Sequence, residues 1–176
     1  MLRVLLRHAR PGMVLSLPIY HPRSAEIVLL RPGVELDSQH IAKLREMRIR
    51  EAWISYPRLD CIEQYVSPAV YQACHHVTHT ISDALDAVVP HAHAKLDYYS
   101  YKRAIGLLLE KFAAHPKAAI FVQDIGDDGR PALRHASTVC LISVLMGLKL
   151  DFYLLRERKR LQPHIATDIS NLGVGA

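Results

Sequence analysis

The stretch RHASTVCLISVLMGLKL, residues 134–150, has a basic and polar start and then an apolar run. The run from Val139 to Leu150 is too long for an ordinary strand, and it falls short of the ~20 apolar residues that cross a bilayer. It reads as a buried helix, predicted from about Ala132 to Leu148. The loop before it, Asp124 to Pro131, carries Gly126, Asp127, Asp128 and Gly129 and is strong turn chemistry. His135 therefore falls in the first turn of an apolar helix, just after an acidic, glycine-rich loop. Taken alone, it reads as a capping or partly buried histidine.

The sequence stays helical in both directions from this point. Val70, Val77, Ile81, Leu85 and Val88 mark one helix, with Pro68 in its first turn behind Ser67 and a stop by Pro90. A second is predicted from about Lys95 to Ala114, ended by His115-Pro116. Ala118 to Val122 is apolar and of undecided type. Beyond residue 150 we expect a broken helical region over Phe152 to Leu161 and a last helix from Pro163.

The first sixty residues follow another period. Met13 to Leu17 and Ile27 to Leu30 read as short strands, Arg31-Pro32-Gly33 as a turn, and Val34 to Leu36 as an extended piece. Asp37 or Ser38 caps a helix whose apolar positions Ile41, Leu44 and Met47 recur every three residues. Ala52 to Ile54 closes the module as a strand, and Tyr56 to Asp60, with Pro57 inside it, reads as a linker. The expected fold class is α+β. A small sheet-plus-helix module, residues 1–58, is followed by an all-α region, residues 59–176.

Half of the 176 residues are hydrophobic and 22% are charged, so the chain can bury a core and is not disordered. The net charge of +5 is too mild to indicate nucleic-acid binding, though it suits an anionic substrate. The densest basic run, Arg156, Arg158, Lys159 and Arg160, reads as a solvated helix face. Cys61, Cys74 and Cys140 are odd in number and far apart. They suit a reducing compartment better than a disulfide framework or a zinc ribbon, and Cys140 reads as a small core residue. The basic N-terminus has too short an apolar run for a signal peptide, and a cytoplasmic location is expected.

Eleven histidines are many for this length. His75 and His79 share a helix face, as do His76 and His79, and such pairs can ligate a metal. No carboxylate lies between them in an HExxH arrangement, and no third ligand is evident. They read first as surface or half-buried residues, and His91 and His93 likewise. His164 and Asp168 also stand four apart, where a hydrogen bond is the plainer reading.

With these residues in view, the chain resembles the HD-GYP family of phosphohydrolases. His135-Ala136-Ser137-Thr138-Val139, followed by the apolar run to Leu145-Met146-Gly147-Leu148-Lys149-Leu150, is similar to the family helix that supplies the first metal-facing histidine. Asn171-Leu172-Gly173-Val174-Gly175-Ala176 resembles the segment just before the family's His-Asp dyad. Pro11-Gly12-Met13-Val14-Leu15, Leu29-Leu30-Arg31-Pro32-Gly33-Val34-Glu35-Leu36, Ile41 to Leu44 and Trp53-Ile54 resemble a small domain often fused ahead of such enzymes. The resemblance covers residues 10–56 and 130–176. It implies that residues 59–176 are an incomplete HD-like domain ending before the dyad, with His135 as the first metal ligand. A second alignment reads Ala166-Thr167-Asp168-Ile169-Ser170-Asn171 as the dyad itself. Thr167 then replaces the family's histidine, Asn171 its lysine, and Asp168 becomes a ligand.

The implied activity of the complete enzyme is hydrolysis of cyclic di-GMP by divalent manganese or iron. The cyclic dinucleotide is then the partner, with a homodimer as an open option and neither membrane nor DNA expected. The family's other catalytic residues have no counterpart here, so the isolated chain is expected to be inactive. Two further readings stand beside this one: a non-catalytic regulatory or dimerisation module, and a degenerate cyclic-dinucleotide sensor.

Overall fold

The computed structural model describes residues 1–22, 24–88, 97–118, 130–150 and 153. The described chain is α+β. A β-rich module comes first and helices follow, in the order β1 (Leu2–Leu5), β2 (Ile19–His21), β3 (Ser24–Leu30), α1 (Ser38–Glu46), β4 (Glu51–Ile54), a 3-10 turn (Pro57–Leu59), α2 (Asp60–Glu63), α3 (Pro68–Val88), α4 (Tyr98–Ala114) and α5 (Pro131–Lys149).

The module is built on two Pro-Gly turns. Arg10-Pro11-Gly12-Met13 and Arg31-Pro32-Gly33-Val34 each close with the fourth residue's N–H donating to the first residue's carbonyl, at 3.4 Å. Gly12 has φ +92° and Gly33 φ +82°, the left-handed values that a type II turn requires at its third position. The segments beside the turns then zip together. Leu36 N–H donates to the Met13 carbonyl at 2.8 Å and Leu15 N–H to that of Val34 at 2.9 Å. Residues 14–16 also bond to β4, through Ser16 N–H to the Trp53 carbonyl at 2.8 Å and Ser55 N–H to that of Val14 at 2.7 Å. On its other edge β4 runs antiparallel to β1, with Leu2 opposite Ile54 and Leu5 opposite Glu51. β2 and β3 form a separate antiparallel pair whose register shifts at Tyr20.

Two expectations need correction here. Met13 to Leu17 is no regular strand: it contributes only the bridges Val14 to Glu35 and Leu15 to Ile54. Its ladder is short because Pro-Gly turns bound both it and its partner. β1 and β2 were unforeseen, since four-residue and three-residue strands carry too little alternation to register as a period.

Helix α1 opens where predicted. The Asp37 carboxylate accepts from the His40 backbone N–H at 2.6 Å, a bond that holds its pKa below the ordinary carboxylate value. The helix closes in a Schellman arrangement: Ile49 N–H donates to the Leu44 carbonyl at 3.0 Å and Arg48 N–H to that of Arg45 at 2.9 Å. The left-handed residue in this motif is usually glycine; here it is Arg48, at φ +60°. Ile41 and Leu44 turn inward to meet Leu6, Leu15, Leu36 and Ile54 in the module's core.

The helices share a second core. Val70, Ala73, Cys74, Val77 and Ile81 of α3 pack against Ala104, Ile105, Leu108 and Phe112 of α4 and Leu133, Cys140, Leu141 and Val144 of α5. These positions recur every three or four residues, so each helix buries one stripe. Cys140 is a core residue, 4% exposed. Burial pushes its thiol up to about 11 and that of Cys74 to about 12, so both stay protonated at neutral pH. Helix α4 begins at Asp97, whose carboxylate accepts from the backbone N–H groups of Tyr99 and Ser100.

Helix α5 departs from the expectation that no segment was long and apolar enough to span a membrane. Over Pro131–Lys149 it passes that test by length and composition, as core helices of soluble proteins also do. Its charged residues, Arg134 and Lys149, lie near its ends, which leaves the middle uniformly apolar or small. Leu133, Ser137, Cys140, Leu141, Val144 and Gly147 are buried, while Ile142 and Met146 are exposed.

Candidate functional site

The module and the helices meet along a second stripe of α3. Tyr71, His75, Thr78 and Ser82 follow one another at helical spacing beside the buried core stripe, and all four line a cleft. The cleft's opposite wall comes from β2 and the approach to it, Pro18 to His21. Arg48 and Arg50, from the end of α1 and the start of β4, lie along its edge with Trp53. Its volume is about 190 Å³.

Three rings hold this junction. His75 meets Tyr71 edge-on at 4.6 Å between centroids and Tyr20 at 5.1 Å, with Tyr20 and Tyr71 6.2 Å apart. Burial drives the His75 imidazole down to about 4, so the ring is neutral across the physiological range. Its Nε2 is buried without a hydrogen-bond partner, and so is the Thr78 hydroxyl one turn further on. Burial also raises the Tyr20 phenol.

Arg130 closes one end of the cleft. It is the N-cap of α5, and its guanidinium reaches back to α3. There it donates to the Asp86 carboxylate at 2.8 Å and to the Ser82 hydroxyl at 2.5 Å. Glu51, also on the lining, pairs with Arg3 at 3.5 Å. Arg130 and Glu51 are thus both paired, and Arg48 adds a further, exposed cation at the cleft's edge.

His135 lies elsewhere. It is exposed, on the side of α5 away from Leu133, Ser137, Cys140 and Leu141. Because α5 begins at Pro131, His135 sits in the second turn and not the first. Asp168 and His164 lie outside the described residues, as do His91, His93, the basic run Arg156 to Arg160, and residues 171–176. Loop residues Asp124 to Gly129 are outside them too.

The α3 histidines do not converge on a metal. His79 Nδ1 sits 3.0 Å from the Asp83 carboxylate, one turn along the same helix. His75 turns to the tyrosines. Among the described residues no group of three or more His, Cys, Asp or Glu side chains is placed to hold a metal ion.

The cleft residues come from four separate stretches of chain, which is why local pattern did not reveal them. One signal was available: Tyr71, His75, Thr78 and Ser82 make a ring-and-hydroxyl stripe at helical spacing, on a helix whose apolar stripe is already complete. Comparison of the chain with protein-family models, with curated proteins and with solved structures found no match.

Proposed function

We propose that the chain is the leading part of an HD-GYP-type metal-dependent phosphodiesterase acting on cyclic di-GMP. An accessory module, residues 1–58, precedes the opening helices of an HD-like domain, residues 59–176. The observation that carries this reading is the place of His135. Its helix buries the opposite face, and the histidine stands exposed beside the resembling residues Ala136 to Val139. A ring outside the core is available to a ligand. A sheet-plus-helix module followed by helices agrees with the order of elements that the resemblance implies.

In such enzymes a divalent metal lowers the pKa of bound water and neutralises phosphate charge. The described donors fall short of a metal site, since His135 is the one imidazole assigned to it and Asp168 lies outside the described residues. Alone, the chain should not turn over substrate.

The test is metal content and cyclic di-GMP hydrolysis, measured on the 176-residue chain and on the full product of its gene. We expect the 176-residue chain to be inactive. The full product should hold manganese or iron and lose both metal and activity in His135→Ala. A full product that keeps both in that variant would end the assignment. The alternative, a non-catalytic regulatory or sensing module, is favoured by the cleft, whose polar groups lie at the junction of module and helices.

A further inference from the structure

We propose that the cleft between β2 and α3 binds a small organic anion carrying a flat ring. The ring lies by Tyr20 and Tyr71, its hydrogen-bonding edge meets His75 Nε2 and Thr78 Oγ1, and Arg48 at the rim meets the anionic group. This site would serve a catalytic and a non-catalytic chain alike.

Two buried polar atoms without partners, one turn apart and both belonging to residues that line one cleft, are the central observation. Such groups cost free energy unless something satisfies them. A neutral imidazole with a hydroxyl beside it offers both donor and acceptor capacity, which suits the edge of a polar ring. The remaining wall is largely apolar, with Pro18, Ile19, Ala25 and Leu133 on the lining. An apolar wall with a few convergent polar groups is the usual form of a site for an organic molecule, and it is poorly suited to a bare inorganic ion.

The volume of about 190 Å³ limits the occupant to a small molecule. The charge at the rim selects an anion, because Arg48 is exposed there while Glu51 is matched by Arg3. Arg48 also holds a left-handed backbone position at φ +60°, where glycine would be unstrained. An arginine there places a cation at the cleft at the expense of the turn. Strain retained at a binding position is a recognised pattern.

Trp53, the only tryptophan in the chain, lines the cleft and reports on it. The experiment titrates the 176-residue protein with AMP, GMP, CMP and UMP as ring-bearing anions, following Trp53 emission and heat of binding. The matching nucleosides and inorganic phosphate are run as separate arms. At least one monophosphate should bind saturably, on the order of tenfold or more tighter than its nucleoside or phosphate alone. Thr78→Val and Arg48→Gly should each weaken it by roughly tenfold. Arg48→Gly should melt no lower than wild type, since glycine suits that backbone. Four results would overturn the proposal. One is no response to any monophosphate at millimolar concentration in a folded protein. Another is equal affinity for phosphate and monophosphate. The third is undiminished binding in both variants, which would place the ligand elsewhere. Should Thr78→Val simply stabilise a protein that binds nothing, the orphan atoms hold water and the site is refuted.

Discussion

Residues 1–56 keep their shape by backbone hydrogen bonds between distant segments, whereas α3, α4 and α5 satisfy their backbones internally and meet through side chains. In the module, residues 14–16 bond to Val34 on one side and to β4 on the other. In the helices, the joining is done by side chains such as Leu108, Leu141 and Val144, each 0% exposed. The two regions should therefore fail in different ways. The helices should be sensitive to lost volume, and the module to altered turn chemistry.

The largest effect is expected from Leu141→Ala. The side chain is fully buried where α5 meets the other helices. Truncation removes apolar contact and leaves a cavity, at a cost of about 2–5 kcal/mol. Urea unfolding of the variant beside wild type measures it. A loss under about 1 kcal/mol would mean that the helices do not pack as described.

A second test falls on the seam between the regions. His75 has a folded pKa of about 4, lowered by burial, against 6.5 in an exposed chain. Between these values the unfolded chain binds a proton that the folded chain refuses. Stability is then fully present above about pH 6.5 and is lost as pH falls through about 4. The difference between the two values corresponds to at most about 3.4 kcal/mol. His75→Phe should flatten this dependence. Identical pH profiles for variant and wild type would show that the ring is solvated and the seam open.

A third test addresses the module. Gly33 has φ +82° and open space where a Cβ would stand. Gly33→Ala therefore meets no clash and costs only the left-handed backbone, about 1 kcal/mol. A denaturation midpoint unchanged from wild type would argue that the Pro32-Gly33 turn is not type II.

These contrasts also mark what could be read in the sequence. Long periodic segments were legible: α3 ends at Val88 and α5 spans Pro131–Lys149, each within two residues of its predicted end or ends. The cap of α1 was legible to within one residue, as Asp37 or Ser38, because a capping side chain acts only three residues away. β1 was not, because its pairing partner β4 lies some fifty residues along the chain. The cleft was hidden for the same reason: Tyr20, Arg48, His75 and Arg130 become neighbours only in the fold. His135 was picked out by resemblance to a motif. The local pattern marked a polar residue at the start of an apolar helix and left its face undecided.

The smallest effect should come from His135→Ala, which sharpens the contrast between two histidines on neighbouring helices. His75 is enclosed by Tyr20 and Tyr71, and its removal disturbs a packed junction. His135 is exposed, and its helix is anchored by the opposite face. Alanine is also the better helix former, which offsets what little contact is lost. The 176-residue chain should change in stability by less than about 0.5 kcal/mol, as for a surface position. A structural histidine hydrogen-bonded inside the fold would instead cost on the order of 1–3 kcal/mol when removed. Denaturant melts of the two proteins decide between these. A near-neutral result leaves the ring available to a metal, and under the proposed function loss of bound manganese or iron in the same variant of the full gene product would identify it as a ligand. A loss above about 1 kcal/mol would instead assign His135 to the fold and remove the one ligand candidate among the described residues.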